Sequence, residues 1–384
     1  MADIEAKQDT PAGPKLVGEA EARLFVASQW QLIWWRFRRH RLAMAGAVVT
    51  LLIYAVAALC EFIAPFAPDR YDPTFTYAPP QRPYLIDRSG GSARINLHVK
   101  GWSSQLDRVE MRRKYVENEQ DIIPIRLLVK GDPYKLWGLI PLDVHLIGPI
   151  DKTRTVYFLG GDHLGRDLFS RIIYGTRISM SIGLVGVAFS FFLGVLLGGL
   201  SGYYGGSFDT IVQRAVEFIR SIPTIPLWMG LAAAIPPNWP PIKVYFGITV
   251  ILSLIGWTGL ARVVRGRFLS LRQEDFVMMA ELDGASDLRI VFRYLLPSFM
   301  SHIIASITLS IPHMIISETA LSYLGLGLRE PAVSWGVLLQ AAQKTRVVVT
   351  SPWLMLPAIA VIIAVLAMNF LGDGLRDAAD PYAR

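Results

Sequence analysis

The sequence predicts an all-α polytopic membrane protein with six spans and one large soluble lobe after the first of them. Three observations predict it. The chain is 52% hydrophobic and only 18% charged, and its mean hydropathy of +0.38 is too high for an ordinary soluble protein. Six largely uncharged runs approach the ~20 apolar residues that a bilayer crossing needs. Between the first and second of these, residues 64–177 are mixed in charge, rich in Pro and Gly, and hold no run long enough to cross. The net charge of +7 fits basic flanks of membrane helices, so nucleic acid is not needed as a partner. Cys60 is the only cysteine, which excludes an intrachain disulfide and a thiol metal site.

Residues 1–29 read as a polar cytoplasmic tail. Residues 30–63 hold an interfacial segment and the first span. Trp30, Trp34 and Trp35 stand beside Arg36, Arg38, Arg39 and Arg41, a combination suited to lipid headgroups and to a cytoplasmic end. Leu42 to Cys60 is the span; it begins too late and runs too long for a cleaved signal. In the lobe, Ile125 to Val129 and Thr155 to Leu159 have strand-like patterns. His98 and His145 have no partners at metal-ligand spacing.

The remaining spans are Ile178 to Leu200, Val216 to Ile235, Val244 to Ala261, Ser298 to Ser317 and Pro352 to Gly372. Pro223 and Pro226 predict a kink in the third. Its Glu217 is one helical turn from Arg214 and Arg220, a spacing for mutual pairing. Span four ends in Arg262, Arg265 and Arg267, which places the next loop in the cytoplasm. Six spans from a cytoplasmic N-terminus return the C-terminus to the same side.

That loop contains Phe276 to Pro297, the one long polar, helix-prone stretch of the second half. One apolar stripe comprises Phe276, Val277, Met279 and Ala280; a second comprises Leu288, Val291, Phe292 and Leu295. Asp283-Gly284 separates them as a stop signal, and Ser286 or Asp287 can cap the second helix. Two short helices with a bend at Gly284 follow.

Ordered motifs carry a resemblance. Leu159-Gly160-Gly161-Asp162-His163-Leu164-Gly165-Arg166-Asp167 reads from bare chemistry as a turn with an Asp cap and a local ion pair. It also resembles the LGTDxxGRD signature before the second helix in inner-membrane permeases of the dipeptide, oligopeptide and nickel ABC importer family. Gly160, Asp162, Gly165, Arg166 and Asp167 match, and Gly161 stands where the family usually has Thr. SGYYGG at 201–206, SETALSYLGLGL and PAVSWGVLL before the last span, and LGDGLRDAADP at 371–381 resemble the family in order. The last supplies Gly372, Asp373, Gly374, Arg376 and Asp377. The 276–297 stretch resembles the family's EAA loop through Ala280, Gly284, Leu296 and Pro297. Met278 and Met279 depart from it, as does Tyr294, and the lobe is longer than in plain dipeptide permeases.

The resemblance implies six transmembrane helices of the type I ABC importer permease kind, with an extra soluble periplasmic lobe at 64–177 between helices 1 and 2. The core at 178–384 would carry five helices and a cytoplasmic coupling loop at 266–297. It further implies a bacterial inner membrane location, a homologous second permease subunit, two ABC ATPase subunits and a periplasmic solute-binding protein. No GxxxxGK[ST] phosphate loop occurs, so ATP is expected on a partner, with no cofactor and no catalytic role here. The expected ATPase-coupling residues are Met279, Ala280, Asp283, Gly284, Ala285, Asp287, Leu296 and Pro297, with Met278 and Phe276 as adaptable apolar contacts and Arg289 at the rim. His313, Glu318 and Asn369 are the polar residues of the late spans, and Glu318 is the candidate pathway residue, facing a partner or water. Peptides are the expected solute class, with nickel, opines or oligosaccharides as alternatives. An ion-coupled secondary transporter would show inverted repeats, which are not detectable. A membrane-anchored receptor or scaffold would bind through the lobe and need no such cytoplasmic hairpin.

Overall fold

The structure, a computed structural model, describes residues 29–87, 94–108 and 112–379. All but the last residue of the expected tail 1–29 lies outside them, as do Asp380 and Pro381. Helix α1 (Gln29–Arg39) buries Phe37 and exposes Trp30, Trp34 and Trp35. His40 separates it from α2 (Arg41–Ala58), accepting a hydrogen bond from the Ala43 amide at Nδ1. A short α3 (Cys60–Ile63) leads into the lobe.

The lobe makes the molecule more than all-α. Its strands β1 (Pro83–Asp87), β2 (Arg94–Asp107), β3 (Arg112–Leu136) and β4 (Ile140–Pro149) form one antiparallel sheet in sequence order. β3 is shared: Pro124 and the residues before it pair with β2, and Ile125 onward pairs with β4. Ile125 to Val129 is strand as expected. Thr155 to Leu159 is not, because Tyr157 exchanges its backbone hydrogen bonds with Gln81, through that residue's amide N–H and side-chain oxygen, instead of joining a ladder. Phe66, Val99, Ile123, Ile125 and Val156 form the lobe's core. His145 lies in a tight seat beside the Ala64 and Asp132 carbonyls.

Five helices are long and apolar enough to cross a membrane among the described residues: Arg41–Ala58, Leu168–Tyr204, Pro241–Leu271, Ile303–Tyr323 and Pro352–Ala379. The second, α4 (Leu168–Tyr204), begins inside the expected lobe and has 37 residues. At 1.5 Å per residue that is roughly 55 Å, beyond the ~30 Å hydrocarbon core at one or both ends. The third expected span, Val216 to Ile235, is not one helix. It divides into α5 (Gly206–Ser221) and α6 (Thr224–Ala233) because Ile222 and Pro223 take extended backbone angles. The expected kink at Pro223 is a full break.

α7 (Pro241–Leu271) packs along α4 at glycines. A Cβ on Gly198 would sit 2.4 Å from the Ala261 carbonyl oxygen, so only glycine permits this approach. Beyond α7 come α8 (Asp275–Leu282), α9 (Asp287–Arg289), a π-helical stretch Ile290–Leu295, and α10 (Leu296–Ser298). α11 (Met300–Tyr323) runs past the expected end at Ser317, so Glu318 is interior to a helix. Short helices α12 (Trp335–Gln340) and α13 (Thr345–Thr350) precede α14 (Leu356–Ala379), which packs on α2 and α11.

Candidate translocation cavity and coupling hairpin

The 275–298 segment is a bent hairpin lying on the ends of α4, α7 and α11. Gly284 supplies the bend with φ of 75°, a left-handed conformation that glycine adopts freely. A Cβ there would meet nothing within 4 Å, so the glycine serves the turn and not a close contact within the chain. The Gly284 amide donates to the Glu281 carbonyl at 3.0 Å and the Ala285 amide to the Ala280 carbonyl at 3.0 Å, closing α8. Ser286 holds the N-cap position of α9 without a side-chain capping bond.

Burial divides the hairpin into two faces. Val277, Ala280, Ile290, Val291 and Leu295 are buried against Val264, Phe268, Phe299 and Ile303. Ala280 is therefore occupied by its own chain, a correction to its expected contact with a partner. The π turn also alters the second stripe: Ile290 joins the buried face while Leu288 and Phe292 turn outward. Leu282 is 84% exposed and Met279 62%. Phe276, Met278, Leu288, Phe292 and Tyr294 are exposed with them. Asp283, Gly284 and Pro297 are exposed, and Ala285 and Leu296 half-buried. Asp287 accepts a hydrogen bond from the Tyr203 hydroxyl at 3.1 Å, tying the hairpin to α4.

The LGGDHLGRD segment is a buried corner. Asp162 accepts from Arg166 Nε at 2.7 Å and from Arg171 Nη1. The two guanidiniums also donate to Glu330, at 2.6 Å from Arg166 and 2.8 Å from Arg171. Burial would raise the Glu330 pKa, but its hydrogen bonds from Arg166 and Arg171 outweigh that and hold it at about 2. Asp167 caps α4 through Ser170, and burial pushes its carboxyl up to about 7 against those bonds. Gly165 passes so close to the Asp72 carbonyl that a Cβ would overlap it, and Gly160 lies against Trp353. A Cβ on Gly161 would meet the Phe75 carbonyl at 3.1 Å and the Tyr157 ring at 3.3 Å, a tight fit without overlap.

At the other motif, Gly372 packs on Leu309 and Gly374 on Ala43, while Asp373, Arg376 and Asp377 are exposed. Glu318 faces neither partner nor water, contrary to expectation. It is 0% exposed and accepts from Ser322 and Ser334 hydroxyls at 2.8 Å each, because the added helical turns carry it into the packing of α11 on α12. A cavity of about 550 Å³ lies elsewhere, among α4, α5, α6, α7 and α11. Its polar lining includes Arg220, Thr224, Thr258, Ser310, His313 and Ser317, with Ser190 and Ser306. Glu217 pairs with Arg214 at 2.8 Å and leaves Arg220 to the cavity. Sequence reasoning missed Arg265 pairing with Asp209 at 2.5 Å, and missed Arg171 and Glu330 in the corner. Arg265 had a sufficient local reason to exist as a flanking charge, and Glu330 is remote from Arg166 in sequence.

Residues 194–384 match the family described as binding-protein-dependent transport system inner membrane component, and residues 28–80 match the N-terminal TM domain of oligopeptide transport permease C. The dipeptide transport system permease protein DppC of Bacillus subtilis is 37% identical over 59% of this chain and 69% of its own length. The chain belongs to this family. Further relatives of this inner membrane component are a putative peptide permease protein of Brucella ovis, 37% identical over 65% of this chain and 82% of that one, and the oligopeptide transport system permease protein OppC of Haemophilus influenzae, 38% identical over 59% and 71%. The sheet, from Pro83 to Pro149, falls between the two matched segments of the permease.

Proposed function

We propose that this permease subunit forms half of the pathway of an ATP-driven importer for peptides or related small solutes. Opines, oligosaccharides and nickel are the alternative solutes. It pairs with a homologous second permease, two ATPases that supply the hydrolysis, and a periplasmic solute-binding protein. Its termini are cytoplasmic, the β-lobe is periplasmic, and α5 with α6 completes six crossings as a broken span. The names of the relatives support the peptide class.

The observation that carries the mechanism is the exposed apolar rim of the hairpin, around Leu282, Met279 and Leu288, on a segment whose other face is fixed to α4, α7 and α11. A rim on a rigidly held element fits a groove of an ATPase and transmits its movement to the spans. The cavity beside Arg220 and His313 is the pathway half, since its hydroxyls and the Arg220 guanidinium suit a solute with carbonyl and carboxylate groups.

Leu282→Asp tests this reading. It touches no core residue, so the subunit remains folded, while ATPase copurification and ATP-dependent uptake of a labelled dipeptide into vesicles both fall at least several-fold. Wild-type assembly and uptake in this variant would sink the coupling assignment. Gly284→Trp tests the same bend, with loss of both activities expected.

A further inference from the structure

The hairpin of β3 and β4 ends in Trp137-Gly138-Leu139-Ile140-Pro141-Leu142, a stretch without charge in a lobe otherwise dense in Lys, Arg, Asp and Glu. Leu139 is 80% exposed, Trp137 65% and Ile140 55%. The lobe's core around Val99, Ile123 and Ile125 lies at the other end of the β3–β4 ladder and does not reach them. The turn is tight: the Gly138 amide donates to the Lys135 carbonyl and the Leu139 amide to the Leu136 carbonyl, both at 3.0 Å. Such a turn ordinarily carries Asn, Asp or Gly, so three large apolar side chains at its apex call for a surrounding other than water.

Two contacts fix where the apex lies. His145 of β4 sits 2.6 Å from the Ala64 carbonyl. Trp137 Nε1 donates to the Ala58 carbonyl at 2.6 Å, and Ala58 is the last residue of α2. From Ala64 to Ala58 the chain runs toward the membrane, and from His145 to Ile140 β4 runs the same way. The apex is therefore level with the last turn of the first span, where hydrocarbon gives way to headgroups. Indole rings favour that layer, and Lys135, paired with Pro141, has a stem long enough to reach back toward water.

We propose that the apex Trp137 to Leu142 inserts into the interfacial layer of the bilayer beside the first span and anchors the β-lobe on lipid. Lipid is the occupant because the apex meets the end of α2 at Ala58, next to exposed Leu59, and α2 itself exposes Leu51 and Leu52. The nearest charges, Lys135 and Asp143, lie on the strands leading away from the apex, while Trp137 itself meets the end of the span. The inference goes beyond the transport reading and depends only on α2 crossing the membrane.

The test uses the assembled transporter in lipid nanodiscs, with an environment-sensitive dye on a single introduced cysteine; Cys60, 0% exposed, stays in place. Leu139→Cys reports the apex. Leu106→Cys, 62% exposed and paired with Arg113 toward the other end of β3, reports lobe surface away from it. Leu51→Cys on α2 verifies that the span lies in lipid. The dye at 139 is expected to show blue-shifted emission, quenching by lipids spin-labelled near the headgroup, and iodide quenching several-fold weaker than at 106. Equal iodide access at 139 and 106, with no response to spin-labelled lipid at 139 while 51 responds, overturns the proposal. So does protection at 139 that disappears when the solute-binding protein or second permease is omitted in the same lipid.

Discussion

The corner at 160–171 and the hairpin at 275–298 both carry family-like motifs, yet they dispose of their side chains in opposite ways. In the corner Asp162, Arg166 and Arg171 are buried and pair with one another and with Glu330, leaving Arg171 Nε and one Asp167 oxygen without a partner. In the hairpin the long apolar side chains Leu282, Met279 and Leu288 point outward, and among the described residues no ion pair involves Asp283, Arg289 or Arg293. A motif whose charges are paired internally holds a frame. One whose apolar side chains remain uncovered keeps them free for the partner contact proposed above.

The largest effect expected from this contrast is in the corner. Arg171→Met removes one cation and leaves Asp162, 2% exposed, short of a partner; breaking such a buried network costs about 3–5 kcal/mol. Thermal unfolding of the detergent-solubilised subunit should show it as a large drop in Tm. A Tm near wild type would erase the distinction between frame and docking surface.

The hairpin's inner face gives the next effect. Ala280→Leu forces three heavy atoms into a site that is 4% exposed, and overpacking of that kind costs about 1–3 kcal/mol. Met279→Leu, on the outer face, should leave stability within about 0.5 kcal/mol. Equal losses in the two variants would mean the faces are misassigned.

The smallest effect sharpens the corner further. Glu330 is held at about 2 against its ordinary 4.5. A depressed carboxylate contributes stability that is full above its unfolded value and is lost as pH falls through its folded value. The Tm difference between wild type and Glu330→Gln should thus be constant from neutral pH to about 5 and shrink as pH falls toward 2. A difference that grew on acidification would show that the Arg166 and Arg171 bonds do not govern Glu330.

Membrane character was legible because it needs only composition and run length. The five long apolar helices overlap the runs read as spans one, two, four, five and six, and some of their ends are displaced by a turn or more. Helix ends are set by contacts beyond the local chain, which is why α11 continues through Glu318. The break between α5 and α6 was half legible: Pro223 announces a kink, but neighbouring helices decide whether the ladder resumes. The sheet was scarcely legible, since β3 pairs with two strands on its two halves and alternation along it is irregular.

By itself the sequence determined that this chain lives in a membrane, that residues 64–177 hold no complete apolar run of spanning length, and that Gly284 bends a polar hairpin. Those properties depend on local chemistry: apolar run length, charge and backbone freedom. Only the tertiary structure decided that Ala280 is packed inward, that Glu318 is sealed among serines, that Arg220 reaches a cavity and that Trp137 meets the end of the first span. Each of those outcomes depends on which residue a remote segment brings alongside, and side-chain burial is a property of the pair, not of the residue.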